Sequence, residues 1–460
     1  MCTSQGFREI IKRDGVELGW AEVKIEDVKA DKKYALAMGP FGSNIKAENF
    51  VTEGVPVIKG GNLNGSFILE DKFDYLTEEK ADELISSNAY RGDIVITHRG
   101  TIGQVGLIPE NSKYKRYVVS QSQLKLSLND EIINPYFVYY FLRSHQGQHA
   151  LLLNASQVGV PAIAQALTSL KNLKIPYPAK RAQDEIVEII LDIDQKIELN
   201  QRMNETLEGM ARAIFKSWFV DFDPVHAKAK GREPEGMDAR TAALFPSTFT
   251  PDGLPEGWTQ ESVISSAEYI NGAAYKDMHF SKEPDAWPVV KIAELKNGIS
   301  PQTKFTNTDL GDKFKLDTGD ILFSWSGSPD TSIDTFIWTG GKGWLNQHIF
   351  KVVNKTRAER CFTYWLLKYL KPEFIEVARN KQTTGLGHVT RKDMEWMQYC
   401  KPNQPVLDLF YETVGLLLDQ IENNLIQNQT LAALRDTLLP KLISGELRID
   451  TTQTDLKEAV

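Results

Sequence analysis

The feature that most constrains this chain is a long heptad ladder of apolar residues, which occurs twice, 224 positions apart. Both copies follow a 4-3-4-3 spacing, and two asparagines interrupt each at matching places. The ladder positions are Ile186, Ile190, Ile193, Ile197, Asn200, Asn204, Leu207, Ala211, Ile214 and Trp218, then Phe410, Val414, Leu417, Ile421, Asn424, Asn428, Leu431, Arg435, Leu438 and Leu442. Sustained heptads predict two long helices that pack against each other.

The asparagines predict how the two helices align. Two-repeat symmetry favours an antiparallel pair, with Asn200 beside Asn428 and Asn204 beside Asn424. Polar pairs at such a seam cost stability but disfavour slipped registers. We therefore expect that leucine at all four positions would leave a folded protein that has a heterogeneous register or aggregates. The alternative is that these asparagines face solvent in a kinked helix.

The duplication extends beyond the helices. Matching segments are Gly19-Trp20 and Gly257-Trp258, Val55–Lys59 and Trp287–Lys291, Gly92–Ile94 and Gly319–Ile321, Gln121 and Gln347, Lys125 and Lys351, and Gly159 and Gly385. Each copy is typical of a mixed α/β globule followed by a long helix, which predicts an α+β fold with an internal pseudo-twofold repeat. The predicted boundaries are a globule over 1–178, a helix over 179–222, a Pro- and Gly-rich connector over 223–253, a second globule over 254–402, a second helix over 403–447 and a flexible tail over 448–460.

Composition limits the possible functions without choosing one. With 460 residues, 42% of them apolar, the chain can form two or three domains with real cores. No run approaches the roughly 18 apolar residues of a membrane span, so we expect a cytoplasmic protein. The formal net charge of -8 is an obstacle to nucleic-acid binding, but it averages over faces and permits local basic surfaces.

Three segments together resemble a known family. Phe215–Met237, Ile321–Ser328 and Leu438–Leu447 are similar to conserved regions of the specificity subunits of Type I restriction-modification enzymes, and the resemblance extends from Glu17 to Leu447. It implies two target-recognition domains that read the halves of a bipartite DNA sequence, with the paired helices setting the gap.

The same resemblance implies a non-catalytic subunit whose helices dock two methyltransferase (modification) subunits. Cleavage would belong to motor subunits of the full complex. S-adenosylmethionine, ATP and Mg²⁺ would be used by the complex and not bound by this chain.

Candidate DNA-binding residues come from polar, glycine-broken loops, because base edges and phosphates are contacted by amide, hydroxyl and basic side chains. They are Ser43, Asn44, Lys59, Asn62, Thr97, His98, Arg99, Thr101, Gln121, Gln157, Lys291, Ser324, Ser326, Ser328, Asn346, Gln347, His348, Lys381, Gln382 and Thr383. Arg99 is the strongest candidate, because an arginine fork suits guanine. Residues shared by both copies cannot distinguish two different half-sites. Because the two globules share framework residues but differ in most loop residues, we expect an asymmetric target.

Two other functions remain open on sequence grounds. Asp285, Glu294 and Lys296 match the loose spacing of a nuclease metal site, which would make the chain a stand-alone Mg²⁺-dependent endonuclease. The equivalent stretch of the first copy carries Gly54, Gly61 and Leu63 instead, which counts against that site. The other possibility is a helical scaffold that does not bind DNA.

Overall fold

The computed structural model describes residues 12–13, 16–17, 20–42, 44–65, 67–156, 159–382 and 385–449. The chain forms two compact units, here called unit 1 (Met1–Lys196 with Leu431–Val460) and unit 2 (Ile197–Thr430). Within those described residues, no helix has the length and apolar character needed to cross a membrane.

Unit 1 is a mixed α/β globule. Its strands are β1 (Lys12–Arg13), β2 (Val16–Glu17), β3 (Glu22–Lys24), β4 (Leu36–Met38), β5 (Val55–Ile58), β6 (Asp74–Leu76), β7 (Asn88–Ala89), β8 (Ile94–Thr97), β9 (Val105–Leu107), β10 (Tyr117–Val119), β11 (Gln123–Leu126), β12 (Ala155–Ser156), β13 (Ala162–Ile163) and β14 (Lys174–Pro176). Its helices are α1 (Ile25–Val28), α2 (Glu78–Glu83), α3 (Pro135–Arg143), α4 (His145–Leu152), α5 (Ala166–Asn172) and the first part of α6 (Lys180–Phe219). Two four-stranded sheets dominate, in the orders β6-β5-β10-β7 and β4-β11-β8-β9.

Unit 2 repeats this architecture. Its strands are β15 (Thr259–Ser262), β16 (Glu268–Asn271), β17 (Trp287–Val290), β18 (Phe305–Thr306), β19 (Lys315–Leu316), β20 (Ile321–Ser324), β21 (Ser326–Gly327), β22 (Asp334–Ile337), β23 (Gly343–Leu345), β24 (Ile349–Val353), β25 (Gly387–His388) and β26 (Gln398–Lys401). Its helices are α7 (Asp223–Ala229), α8 (Ala239–Ala243), α9 (Ile292–Asn297), α10 (Pro329–Ser332), α11 (Arg357–Tyr369), α12 (Lys371–Asn380), α13 (Arg391–Trp396) and most of α14 (Gln404–Ser444).

The sheets of unit 2 have the orders β18-β17-β23-β19 and β16-β24-β20-β22, which match those of unit 1 strand for strand. In both units the only parallel neighbours within these two sheets, among the described strands, are the equivalent pairs β5–β10 and β17–β23. The predicted α+β fold with an internal repeat is confirmed.

The two long helices, α6 and α14, contain 40 and 41 residues, so each is about 60 Å long at 1.5 Å per residue. They run antiparallel: Asp194 bonds to Arg435 within unit 1, and Phe215 packs on Phe410 within unit 2. The helix predicted over 179–222 ends at Phe219, because Phe222 adopts a left-handed conformation (φ 51°) before a new helix begins.

The apolar ladder faces inward in both units. Phe215 and Phe219 are 2% and 4% exposed and pack on Phe362 and Phe410, so they belong to the core and do not form a docking surface. Their large rings are more stable in the core than in water. The predicted connector contains α7 and α8 and is part of unit 2, with Phe245 buried in the core of that unit.

Candidate nucleic-acid interface

One edge of unit 1 gathers four of the loops predicted to contact DNA. The loops over 59–64 and 120–122 follow the carboxyl ends of the parallel strands β5 and β10, so both emerge at the same edge. The Nε2 of His98, just after β8, lies 3.2 Å from the carbonyl oxygen of Gln121. A β-carbon on Gly42, after β4, would come 2.9 Å from the Oε1 of Gln121.

The loop before β11 is a four-residue turn, 120–123, built by main-chain hydrogen bonds. Ser120 N donates to Ile58 O (3.0 Å), and Gln123 N closes the turn by donating to Ser120 O (3.0 Å). The neighbouring loop donates from His98 N to Ser122 O at 2.9 Å. Main-chain groups therefore fix the turn independently of its exposed side chains.

Unit 2 builds the same turn at 346–349. Asn346 N donates to Val290 O (3.2 Å), Ile349 N donates to Asn346 O (3.2 Å), and Trp325 N donates to His348 O (3.4 Å). Each bond has its counterpart in the 120–123 turn. The duplication thus preserves the shape of the interface and not only the fold.

A glycine in each unit makes this arrangement possible. A β-carbon on Gly39 would lie 1.9 Å from Ser120 O, and one on Gly272 would lie 2.1 Å from Asn346 O. No side chain fits at such distances, so both glycines are required by the close approach of two main chains.

The two units also share a lysine at the first residue after the β5 or β17 strand. Lys59 Nζ lies 4.9 Å from the centre of the Phe50 ring, and Lys291 Nζ lies 5.6 Å from that of Phe280. Lys59 also forms an ion pair with Asp74. These contacts hold each ammonium group at the same edge as the turns.

Helix capping explains two polar residues that sequence patterns left ambiguous. The Asn62 side chain accepts from Lys59 N at 2.9 Å, and the Glu294 carboxylate accepts from Lys291 N at 3.0 Å. Glu294 also accepts from the Thr303 hydroxyl (2.9 Å) and is 6% exposed. Glu294 therefore occupies the capping position that Asn62 holds in unit 1, which removes the physical basis of the endonuclease site.

The other two residues of that alternative do not complete a site. Asp285 is exposed and accepts from Asn307 Nδ2 at 3.0 Å. Across the described ranges, no group of three or more His, Cys, Asp or Glu side chains is arranged to hold a metal ion.

Around the shared turns, the side chains of the two units differ. Arg99 of unit 1 is exposed, and its main chain bridges to Ala162, whereas Ser326 occupies the equivalent position and pairs with His388. Within the described part of the chain, the Arg99 guanidinium has no hydrogen bond or ion pair.

The residues that precede this pair differ as well. His98 is 7% exposed, and its burial lowers the pKa of the imidazole, which keeps it neutral as a donor to Gln121 O. Its counterpart Trp325 donates through Nε1 to Asn271 Oδ1 (3.1 Å). The centres of the Trp325 and His348 rings are 5.7 Å apart.

The structure separates the predicted DNA-binding residues by exposure. Exposed side chains are those of Asn44, Lys59, Arg99, Thr101, Gln121, Gln347, His348 and Gln382, and partly exposed ones are those of Lys291, Ser326, Ser328 and Lys381. Buried ones are Asn62, Thr97, His98, Ser324 and Asn346. Ser43, Gln157 and Thr383 lie outside the described residues. Burial favours a supporting role for the second group, and DNA contact stays a prediction for the first.

Among the partly exposed group, Lys381 is committed elsewhere. Its ammonium group contacts both carboxylate oxygens of Asp393, at 2.5 and 2.6 Å.

Sequence reasoning missed the side chains that support the unit 1 edge from inside. Gln104 Nε2 donates to Gly60 O (3.1 Å) and Asn64 Oδ1 (2.7 Å), and its Oε1 accepts from Thr97 at 3.1 Å. Gln123 is 1% exposed and donates to the Thr97 hydroxyl (3.2 Å). In the sequence, the signal that could have identified Gln104 and Gln123 is their position as glutamines next to apolar strands.

The four seam asparagines meet in unit 2. Asn200 Nδ2 donates to Asn428 Oδ1, and Asn424 Nδ2 donates to Asn204 Oδ1, both at 2.8 Å. Asn204 and Asn428 also donate to main-chain oxygens of the opposite helix, each at 3.4 Å. The pairs expected from symmetry are therefore in contact.

Comparison with known proteins gives one consistent result. The family model described as "Type I restriction modification DNA specificity domain" matches residues 17–209 and 255–398. The HindI specificity subunit of Haemophilus influenzae is 26% identical, over 76% of this chain and 87% of its own length.

The MjaIX specificity subunit of Methanocaldococcus jannaschii is also 26% identical, over 92% of this chain and 94% of its own length. The crystal structure of a Type I restriction-modification S subunit from M. genitalium matches with a TM-score of 0.53 and 16% identity. That match covers 94% of this chain and 98% of the other, and it supports the fold.

Proposed function

Because this chain belongs to the Type I restriction modification DNA specificity domain family, we propose that it is the DNA-reading, non-catalytic subunit of such a complex. Each unit would read one half of a bipartite target. The observation that carries the proposal is the duplicated edge, in which equivalent turns have the same main-chain bonds while side chains beside them, such as Arg99 and Ser326, differ. Different side chains on one shape select different bases, so the target would be asymmetric.

Within each unit we divide the contacts by what the two units share. Lys59 and Lys291 occupy equivalent positions, which suits a contact to phosphate, the part of DNA that is the same in every sequence. Arg99 and Ser326 differ, which suits base readout, with Arg99 directed at guanine. The cytoplasm is the proposed place of action, because the proposed ligand is DNA.

The helix pair is proposed to set the gap between the half-sites and to hold partner subunits. On α6, Leu199, Met203 and Met210 are 45%, 38% and 49% exposed at helical spacing. The repeat equivalent of Met210 is Leu434, also 45% exposed. The equivalents of Leu199 and Met203 are the polar Asn423 and Gln427, so only the Met210–Leu434 position is apolar on both helices. We propose that this position contributes to the contact with two copies of one partner, namely methyltransferase subunits. S-adenosylmethionine, ATP and Mg²⁺ would be used by the other subunits.

The proposal is tested with the complex reconstituted from this chain and its methyltransferase subunit. We expect salt-sensitive binding to one split sequence, and methylated positions in host DNA that give both half-sites and the gap. Arg99→Ala should relax the choice of one base pair in one half-site only.

The control is the purified chain alone, incubated with DNA and Mg²⁺. Cleavage that disappears in Glu294→Gln would contradict the proposal and restore the endonuclease. Binding without sequence preference in the reconstituted complex would favour the scaffold.

A further inference from the structure

Gln121 and Gln347 form the only pair of equivalent turn residues, within the described parts of 120–123 and 346–349, that are identical and exposed in both units. Each stands second in its turn, after a residue held by the close approach of a glycine. Their neighbours in the turn have diverged, Ser120 to Asn346 and Ser122 to His348. A side chain kept while its neighbours change has a task that both half-sites require.

Neither side chain holds its turn in shape. Among the described residues the Gln121 amide has no hydrogen-bond partner, whereas Gln347 Nε2 forms a hydrogen bond of 3.2 Å with Nε2 of the adjacent, exposed His348. The turns close through main-chain bonds, supported in unit 1 by a hydrogen bond from the Ser120 hydroxyl to the Gln123 side chain, and the side chains of Gln121 and Gln347 take no part in them. The Gln121 amide is thus available at the edge that carries Arg99 in unit 1. The Gln347 amide, at the edge that carries Ser326 in unit 2, would exchange its bond to the exposed His348 for the contact with DNA.

Resting on the proposed function, we infer that Gln121 and Gln347 make the same contact to a base that the two otherwise different half-sites share, and that this base is adenine. A glutamine amide pairs through one donor and one acceptor with N6 and N7 of adenine in the major groove. Phosphate would not need the acceptor, and the shared lysines already suit that contact. The two adenines would lie at equivalent positions of the two half-sites.

The test is selection of bound sequences from a random duplex DNA library, using the complete complex with wild-type or variant chain. Gln121→Ala should lose the preference for adenine at one base pair of one half-site, and Gln347→Ala at the equivalent base pair of the other. We expect the affinity for the wild-type target to fall about tenfold in each case. Gln260→Ala, at an exposed glutamine on β15, is the matched control and should change nothing.

Gln121→Glu gives a readout that a structural role would not produce. A carboxylate accepts from the N4 amino group of cytosine, so the preferred base at that position should change from adenine to cytosine. The inference is overturned if each alanine variant binds every sequence more weakly by the same factor. It is also overturned if the two affected base pairs do not occupy equivalent positions in the two half-sites. A wild-type complex that selects no sequence would overturn the proposed function itself.

Discussion

The buried ion pair between the long helices offers the sharpest prediction about stability. Asp194 is 2% exposed, and its carboxylate accepts from Arg435 Nη1 at 2.8 Å and from the Tyr140 hydroxyl at 2.9 Å. At the repeat-equivalent positions, unit 2 has Leu418 and Ala211, which are both buried and apolar. The repeat therefore shows that a pair of uncharged residues can pack at these positions.

Arg435→Ala places at position 435 the alanine that the other copy has at Ala211, and it leaves Asp194 unchanged. The Asp194 carboxylate then stays buried with a single hydrogen bond. Burial raises the pKa of Tyr140, so its hydroxyl remains a donor but cannot neutralise the charge. Removing one partner of a buried pair typically costs 3–5 kcal/mol. We expect about 3 kcal/mol here, because the Arg435 side chain is 21% exposed and partly hydrated before the change.

The compensating variant combines Arg435→Ala with Asp194→Leu and Tyr140→Phe. It removes both charges of the buried pair together with the orphaned hydroxyl, and leaves only the exposed Asp436 without its arginine, so its stability should return to within about 1 kcal/mol of wild type. Hydrogen exchange of the α6 amides around Asp194 measures the local opening free energy in each protein. A neutral single variant, or a triple variant as unstable as the single one, would refute the reasoning.

Three other perturbations concern the interface. Burial lowers the pKa of His98 in the folded protein below its value of 6.5 in the unfolded chain. Unit 1 should therefore lose stability as the pH falls below 6.5 and through the lower pKa of the folded state. His98→Gln should flatten the pH dependence of the opening free energy, measured by hydrogen exchange between about pH 7.5 and about pH 5. Gly39→Ala and Gly272→Ala should each destabilise the protein by about 1–3 kcal/mol in urea unfolding and weaken DNA binding in a titration. Gly61→Ala is the control, because no atom lies within 4 Å of the added carbon, and it should change neither stability nor binding. Lys291→Ala should weaken binding of the complex to all sequences alike and reduce the salt slope by about 1 unit, a result that a base-specific loss would contradict.

The helices were predictable because their signal is periodic and repeated. The ladder from Ile186 to Trp218 and its copy fixed the facing sides and, through symmetry, the contacts Asn200–Asn428 and Asn204–Asn424. Local spacing was sufficient here because each position repeats the environment of the position seven residues away.

The interface was predictable only as a set of loops. Polarity selected both exposed Arg99 and buried Asn62, because a capping amide and a base-reading amide are chemically identical and differ only in what lies opposite them. The same ambiguity made Glu294 resemble a metal ligand. What faces a polar group depends on strand pairing far along the chain, as between β5 and β10.

The duplicated edge suggests why this fold can change what it reads. The turns at 120–123 and 346–349 keep their shape through main-chain hydrogen bonds and two obligatory glycines, so exposed side chains beside them bear little of the folding free energy. Arg99 in unit 1 and Ser326 in unit 2 are already two different residues at equivalent backbone positions. Exchanging such residues should therefore alter the selected base while leaving stability within about 0.5 kcal/mol. Replacing Gly39 or Gly272 should instead cost the larger amount predicted above, because it displaces the main chain of the turn.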